Sequence, residues 1–237
     1  MAAIMKTLAI DSSLSAGSVA ALFEGSAAER TFPVAGEHGR RIAAALAAVA
    51  GELGWSPADA ELLAVVRGPG SFTSLRVGVT TAKAMAWANG ARLLGVSAFE
   101  VIARQSAGPQ EHGSAPIAIA YDAGRGDVFA ATAVPATHSP TGWIIGAPGL
   151  YSLPTWLASL ERGACISGPA LAIFADQIAQ RPDLLVAPRA AWIPTAIGVG
   201  NVAILRAAAG ESDDPQTLVP DYLRPSYAHE NDSRSSR

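Results

Sequence analysis

Cysteine is nearly absent: Cys165 is the only one in 237 residues. An internal disulfide framework is therefore excluded, and this usage suits a reducing compartment. Charge is scarce too, at 16% of residues, with a formal net charge of −3 and no run of lysine or arginine. The chain thus lacks the electrostatic footprint of an autonomous nucleic-acid binder. No uninterrupted apolar run is long enough to span a bilayer, and Asp11 breaks the N-terminal stretch before a signal-like core develops. The expectation is a soluble, cytoplasmic protein without membrane contact.

Recognisable catalytic equipment is missing as well. Gly68-Pro69-Gly70 begins like a dinucleotide fingerprint, but Thr73 stands where the third glycine belongs. No Gly-Lys-Ser/Thr follows at P-loop spacing, and Lys83 is too far along. There is no G-x-S-x-G elbow, and Cys165 falls in an apolar stretch that disfavours a thiolate. His38 is followed one turn later by Ile42, so no His-x-x-x-His pair forms. His112, His138 and His229 have no acidic or cysteine partner at ligand spacing, and no metal site is expected.

What is present is apolar mass. Half the residues are hydrophobic, enough to fill one large or two small domains. The chain is organised around residues 62–89. Residues 62–66 are wholly apolar, like a strand buried on both faces. Arg67-Gly68-Pro69-Gly70 then turns sharply into a helix near residues 71–74, where Ser71, Thr73 and Ser74 can each act as a cap. A glycine-rich turn feeding a helix N-terminus is a natural anion site. The plainer alternative is a tight strand-to-helix connection. Gly68, Gly70 and Ser71 are the candidate contacts.

Residues 7–10 read as a strand ending at Asp11, with 18–23 as its hairpin partner. A loop holding Pro33, Gly36 and His38 leads to a helix over 40–53, whose stripe Ile42, Leu46, Val49 and Leu53 marks a core-facing side. Residues 93–96 give a strand and 97–105 a helix. The polar stretch that follows separates domains 1–105 and 106–227, and 228–237 is a polar, disordered tail. In the second half, 117–121 and 127–133 are strands around Gly124-Arg125-Gly126, and 135–149 is a loop rich in proline and glycine. A helix over 153–161, a strand over 164–167, a helix over 170–180 after Gly168-Pro169, a strand over 184–187, and a helix over 195–209 capped by Thr195 follow; 220–227 is extended.

The second half repeats the first. LAIDSS…SVAALF and IAIAYDAGRGDVFAAT share the order strand, aspartate, turn, strand. Two related α/β domains facing each other across a cleft would produce this pattern. Asp11 and Asp122 would then face one ligand or a hydrated magnesium ion from opposite walls, or else each caps its own turn.

Two helices carry rows of small residues: Ala43, Ala47, Ala50 and Gly51 on the first, Gly78 and Ala82 beside Met85 on the second. Small rows let helices approach closely and mark a candidate interface between subunits. Alanine is also simply a good helix former, which is the competing reading.

Residues 67–76, RGPGSFTSLR, followed by Val77-Gly78, resemble the signature of the bacterial TsaB (YeaZ) family. LAIDS at 8–12, Glu37-His38 before Ile42, Gly95-Val96-Ser97, AYDAGRGDV at 120–128 and Tyr222-Leu223-Arg224 fit as well. The match is dense from residue 5 to residue 133. The resemblance implies two ribonuclease-H-like domains of the actin-like/sugar-kinase-like ATPase superfold. It implies a non-catalytic scaffold for a paralogous TsaD-type enzyme, forming a heterodimer with it, or a homodimer when alone. A TsaE-type ATPase is the third member. Together they would move a threonylcarbamoyl group from its adenylate to the adenosine beside the tRNA anticodon. ATP would be used by the complex, with no cofactor bound by this chain alone and tRNA met only through the complex. The resemblance also implies that the metal-binding histidine pair belongs to the paralog. Relatives of this kind are often called peptidase-like, but no residues here support proteolysis. Ser74 departs from the glycine usual in the family, and either hinders backbone approach to a phosphate or serves as a cap. The rival reading is a self-sufficient ATP-dependent phosphotransferase, with Asp11 holding a metal and Asp122 acting as base.

Overall fold

The computed structural model describes residues 5–33, 38–107 and 115–223. Strand β1 (Thr7–Asp11) pairs antiparallel with β2 (Ala16–Phe23), which pairs with β3 (Ser26–Pro33). On its other side β1 runs parallel to β4 (Leu62–Gly68), and β4 to β5 (Arg92–Ser97), giving the order β3-β2-β1-β4-β5. Helices α1 (His38–Glu52), α2 (Phe72–Asn89) and α3 (Ala98–Ala107) supply the connections around this sheet.

Period-two alternation sorts the sheet's faces. Leu8, Ile10, Leu63 and Val65 pack on α1 and α2 through Ile42, Leu46, Val49, Val79 and Ala82. Burying such branched side chains contributes about 1.5–3 kcal/mol each. Ala9, Ala20, Leu62, Ala64 and Val66 face the other way, toward α3 and the last helix.

The second half builds the same arrangement. Strand β6 (Ile117–Gly124) pairs antiparallel with β7 (Asp127–Pro135), and β7 with both β8 (Trp143–Ile145) and β9 (Gly149–Ser152). After α4 (Leu153–Ser159), β10 (Cys165–Ser167) runs parallel to β6; after α5 (Ala170–Ile173) and α6 (Ala175–Ala179), β11 (Leu185–Val186) runs parallel to β10. Helix α7 (Ala196–Ala208) is the last regular element among the described residues. Each half therefore has the ribonuclease-H-like order, hairpin first and parallel strands after, and the pair gives the actin-like/sugar-kinase-like fold expected from the sequence.

Helices α3 and α7 lie between the sheets, so one core runs from Ala9 and Val66 through Phe99, Ile102 and Val202 to Ile117 and Ile119. The outer face of the second sheet is covered by Trp156, Leu157, Leu171 and Ile178.

Four expectations change. Residues 26–33 form strand β3, an edge whose Glu29 and Arg30 hide the apolar pattern. The loop expected over 135–149 contains β8, and β9 begins at its end. The helix expected over 170–180 breaks at Phe174, where φ −107° and ψ 30° leave the helical region. Helix α7 was assigned by sequence to the second domain, but it packs on the first sheet, with Gly200 against Leu22 and Ala9. The linker core at 108–114, Gly36, Glu37, Arg224 and the tail 228–237 lie outside the described residues.

Candidate functional site

Strand β4 ends in a loop pressed into the first hairpin. Gly68 has φ 148°, and a Cβ there would stand 2.9 Å from the Asp221 carbonyl oxygen. A Cβ on Gly70 would overlap the Ser13 backbone, because Ser71 N–H donates to Ser13 O at 2.8 Å. Ser71 occupies the N-cap of α2 with extended backbone, but its side chain makes no capping bond. Ser12 Oγ reaches across to donate to Ser74 O at 2.9 Å. The hairpin turn, the loop and the first turn of α2 are thus stitched into one wall.

The two aspartates have the same local geometry. Asp11 Oδ1 accepts from Ser13 N–H at 2.9 Å, and Asp122 Oδ1 accepts from Gly124 N–H at 2.9 Å. Both cap their own turns. Their environments differ. Asp11 is 1% exposed, and burial pushes its carboxyl up to about 6. The Ser13 amide opposes that rise, and so does the nearby Ser13 hydroxyl, although it falls short of hydrogen-bond geometry. Asp122 is exposed.

Between the hairpins lies a cavity of about 360 Å³, lined by Ser13, Gly70, Ser71, Tyr121, Asp122 and Phe129 among others. Gly70, Ser71 and Asp122 meet there. Asp11 is buried behind the wall rather than on it, and Gly68 faces the segment around Asp221 instead. Of the two carboxylates only Asp122 is among the lining residues, and each caps its own turn, the alternative the sequence left open. No lysine, arginine or histidine is among the described lining residues.

Sequence reasoning passed over Tyr121, which it read only as a strand residue. Tyr121 is 2% exposed and packs edge-on against Phe99 at 5.5 Å. Burial, and secondarily the Asp11 charge, raise its phenol well above the ordinary range. The signal available was its place immediately before Asp122.

The second candidate surface is the outer side of α1 and α2. Both helices pack on the same face of the sheet, and Asn89 Nδ2 donates to Pro57 O at 2.7 Å, which brings their C-terminal ends to one turn. Ala43, Ala47 and Gly51 are exposed. Ala50, Gly78 and Ala82 are not available to a partner, because each is buried against its own chain. Gly78 is small because Ser12 Oγ occupies the space a Cβ would take. Met85 is partly buried against the same core. Trp87, on the outward side of α2, is 83% exposed.

A family model for TsaD, the tRNA N6-adenosine threonylcarbamoyltransferase, matches residues 33–138. The tRNA threonylcarbamoyladenosine biosynthesis protein TsaB of Bacillus subtilis is 32% identical over 126 residues, 53% of each chain. The TsaB protein of Escherichia coli is 32% identical over 125 residues, again 53% of each. The matched stretch thus spans about half the length of the curated relatives. A solved Pseudomonas aeruginosa structure, described as an uncharacterized protein with similarity to peptidase YeaZ, superposes with TM-score 0.74 at 25% identity, over 93% of this chain and all of that one. YeaZ from Pseudomonas aeruginosa gives TM-score 0.76 at 24% identity over the same shares, which bears on the fold.

Over this stretch the chain is similar to the TsaB (YeaZ) proteins.

Ser74, the departure from the TsaB loop motif, now has a structural account. It is buried, does not occupy the N-cap, and donates its hydroxyl to Ser71 Oγ at 3.1 Å. That bond engages the Ser71 oxygen that would otherwise accept from the helix amides. The chain's C-terminal segment is tied across the same region. Asp221 N–H donates to Arg67 O at 2.7 Å, their side chains pair at 3.1 Å, Lys83 Nζ donates to Leu218 O at 2.9 Å, and Tyr222 stacks on Phe72 at 4.7 Å. Among the described residues, no group of three or more His, Cys, Asp or Glu is placed to hold a metal ion, and no helix is long and apolar enough to cross a membrane.

Proposed function

We propose that this TsaB-like chain serves the biosynthesis of threonylcarbamoyladenosine in tRNA as a supporting, non-catalytic subunit. It docks a TsaD-type paralog through the outer side of α1 and α2, pairs with a second copy when alone, and works with a TsaE-type ATPase. ATP is consumed by the assembly rather than in this chain's own cleft.

The observation that carries the reading is the exposed α1/α2 face. Ala43, Ala47 and Gly51 present a low surface on α1, and α2 carries Trp87 at 83% exposure. An exposed tryptophan is the kind of residue that anchors an interface. The two curated relatives, named for this biosynthesis, supply the process. The cleft supports the division of labour, because no cationic side chain among its described lining residues meets a polyphosphate.

The test is reconstitution of the tRNA modification with and without this chain, together with partner pull-down by Ala47→Arg and Trp87→Ala. Modification should require the chain, and both variants should stay folded while losing the partner. Normal modification without the chain would end the functional reading. Unchanged pull-down would end the interface assignment. The rival phosphotransferase reading predicts ATP turnover by the isolated chain that disappears in Asp11→Asn.

A further inference from the structure

The cavity between the two hairpins contains polar groups that the fold itself does not satisfy. Tyr121 is 2% exposed and lines the cavity, yet its hydroxyl meets no hydrogen-bond partner among the described residues. An unpaired buried hydroxyl is destabilising, whereas phenylalanine of nearly the same shape would avoid that cost. The ring is fully used in packing against Phe99; only the hydroxyl is idle. Ser13, also among the lining residues and 1% exposed, has its Oγ near the Asp11 carboxyl but short of hydrogen-bond geometry. Beside it Ser71 Oγ accepts from Ser74 Oγ and keeps its own proton to donate.

Charge decides which ligand fits. The described lining residues include no cationic side chain, while Asp122 lines the cavity and Asp11 lies just behind it. A triphosphate would bring several negative charges toward two carboxylates. Each such like-charge pair opposes binding. The remaining wall is apolar, from Leu14, Phe129, Pro169 and Ile173. A volume of about 360 Å³ sits at the small end of ligand sites. These walls suit a neutral ring with hydroxyl groups at one edge, which accept from Tyr121 and Ser13 and donate in return.

We propose that this cavity binds an uncharged, hydroxyl-bearing ring compound, a nucleoside or a free sugar, through Tyr121 Oη and Ser13 Oγ, and that it excludes nucleoside triphosphates. The site is separate from the α1/α2 face, so it stands or falls independently of partner docking.

The experiment is calorimetric titration of the full chain with adenosine, glucose and magnesium–ATP as separate probes, alongside thermal melting. Adenosine or glucose should bind saturably, and Tyr121→Phe and Ser13→Ala should each weaken that binding by about tenfold or more. Magnesium–ATP should bind at least about tenfold more weakly than the neutral probe that binds. Tyr121→Phe should melt at or above the wild-type temperature, since it removes an unsatisfied group. The adenosine and glucose arms separate the two sources of the ligand. The proposal is overturned if neither neutral probe saturates by about 10 mM, if magnesium–ATP binds more tightly, or if Tyr121→Phe binds like wild type. A lower melting temperature for Tyr121→Phe would also overturn it, by showing that the hydroxyl is satisfied within the fold.

Discussion

Replacing Gly78 by alanine tests whether the small residues of α2 serve this chain or a partner. The added Cβ would occupy the position of Ser12 Oγ. Ser12 is 1% exposed and donates to Ser74 O at 2.9 Å, so its hydroxyl has no route to solvent. Either Ser12 rotates away and leaves a buried hydroxyl unpaired, costing about 1–3 kcal/mol, or α2 shifts off the sheet at an overpacking cost of about 1–3 kcal/mol. Alanine's better helix propensity returns about 1 kcal/mol. The net expectation is destabilisation of up to about 2 kcal/mol. Gly51→Ala in α1 is the control, because nothing lies within 4 Å of the new Cβ. It should stabilise by about 0.5–1 kcal/mol. Urea unfolding followed by tryptophan fluorescence reads both, with Trp55 buried in the core beneath α1 and α2. Unchanged slopes with oppositely displaced midpoints are expected. A Gly78→Ala variant stabilised as much as Gly51→Ala would refute the reasoning.

Two further outcomes follow from buried carboxylates. Burial holds the Asp11 carboxyl at about 6 against an ordinary 3.8, so the folded state binds the proton more tightly, and the group's contribution is full below the ordinary value and lost as pH rises through 6. Asp11→Asn should therefore match wild type near pH 4 and exceed its stability by about 1–3 kcal/mol at pH 7; a melting-temperature difference that does not widen with pH would contradict this. Thr141 is buried and donates to Glu100 Oε1 at 2.8 Å, while burial raises the Glu100 carboxyl and this bond opposes the rise. Thr141→Val should destabilise by about 1–3 kcal/mol, more at neutral than at acidic pH, and an equal loss at both would show that the hydrogen bond does not select the ionised form.

The readable parts of the sequence were those where one force dominated. The wholly apolar 62–66 run is buried on both faces because β4 lies between two parallel neighbours with helices above and below. The repeated strand–aspartate–turn–strand pattern became two hairpins with matching side-chain caps. Strand β3 escaped notice because its stability comes from pairing with β2, and pairing leaves little trace on an edge strand carrying Glu29 and Arg30. The small rows misled for a different reason. Smallness records that something is close, but not whether it is a second chain or, as at Gly78, a serine of the same one. Tyr121 was passed over because an aromatic in a strand is ordinarily core, and only the unpaired hydroxyl separates it from that pattern.

The placement of α3 and α7 bears most on how the molecule works. Enzymes that transfer phosphoryl groups commonly close domains around their substrate and exclude water as they do. Closure requires an interface that can slide or hinge. Here the space between the sheets is filled by a single apolar core, in which Phe99 of α3 packs on Tyr121 of the second sheet while Val199 and Val202 of α7 pack toward the first. Polar ties run through the same layer. Gln105 Oε1 accepts from Thr195 N–H at 3.1 Å, and Ser18 Oγ accepts from Ala196 N–H at 2.9 Å. Moving one sheet against the other would expose that core. The cleft is therefore held at a fixed width, and the Ser12 contact fixes α2 to the same hairpin from the other side. On the proposed reading as a supporting subunit, this filled interface would keep the α1/α2 surface constant, whereas a phosphotransferase that closes on its substrate would have to open it.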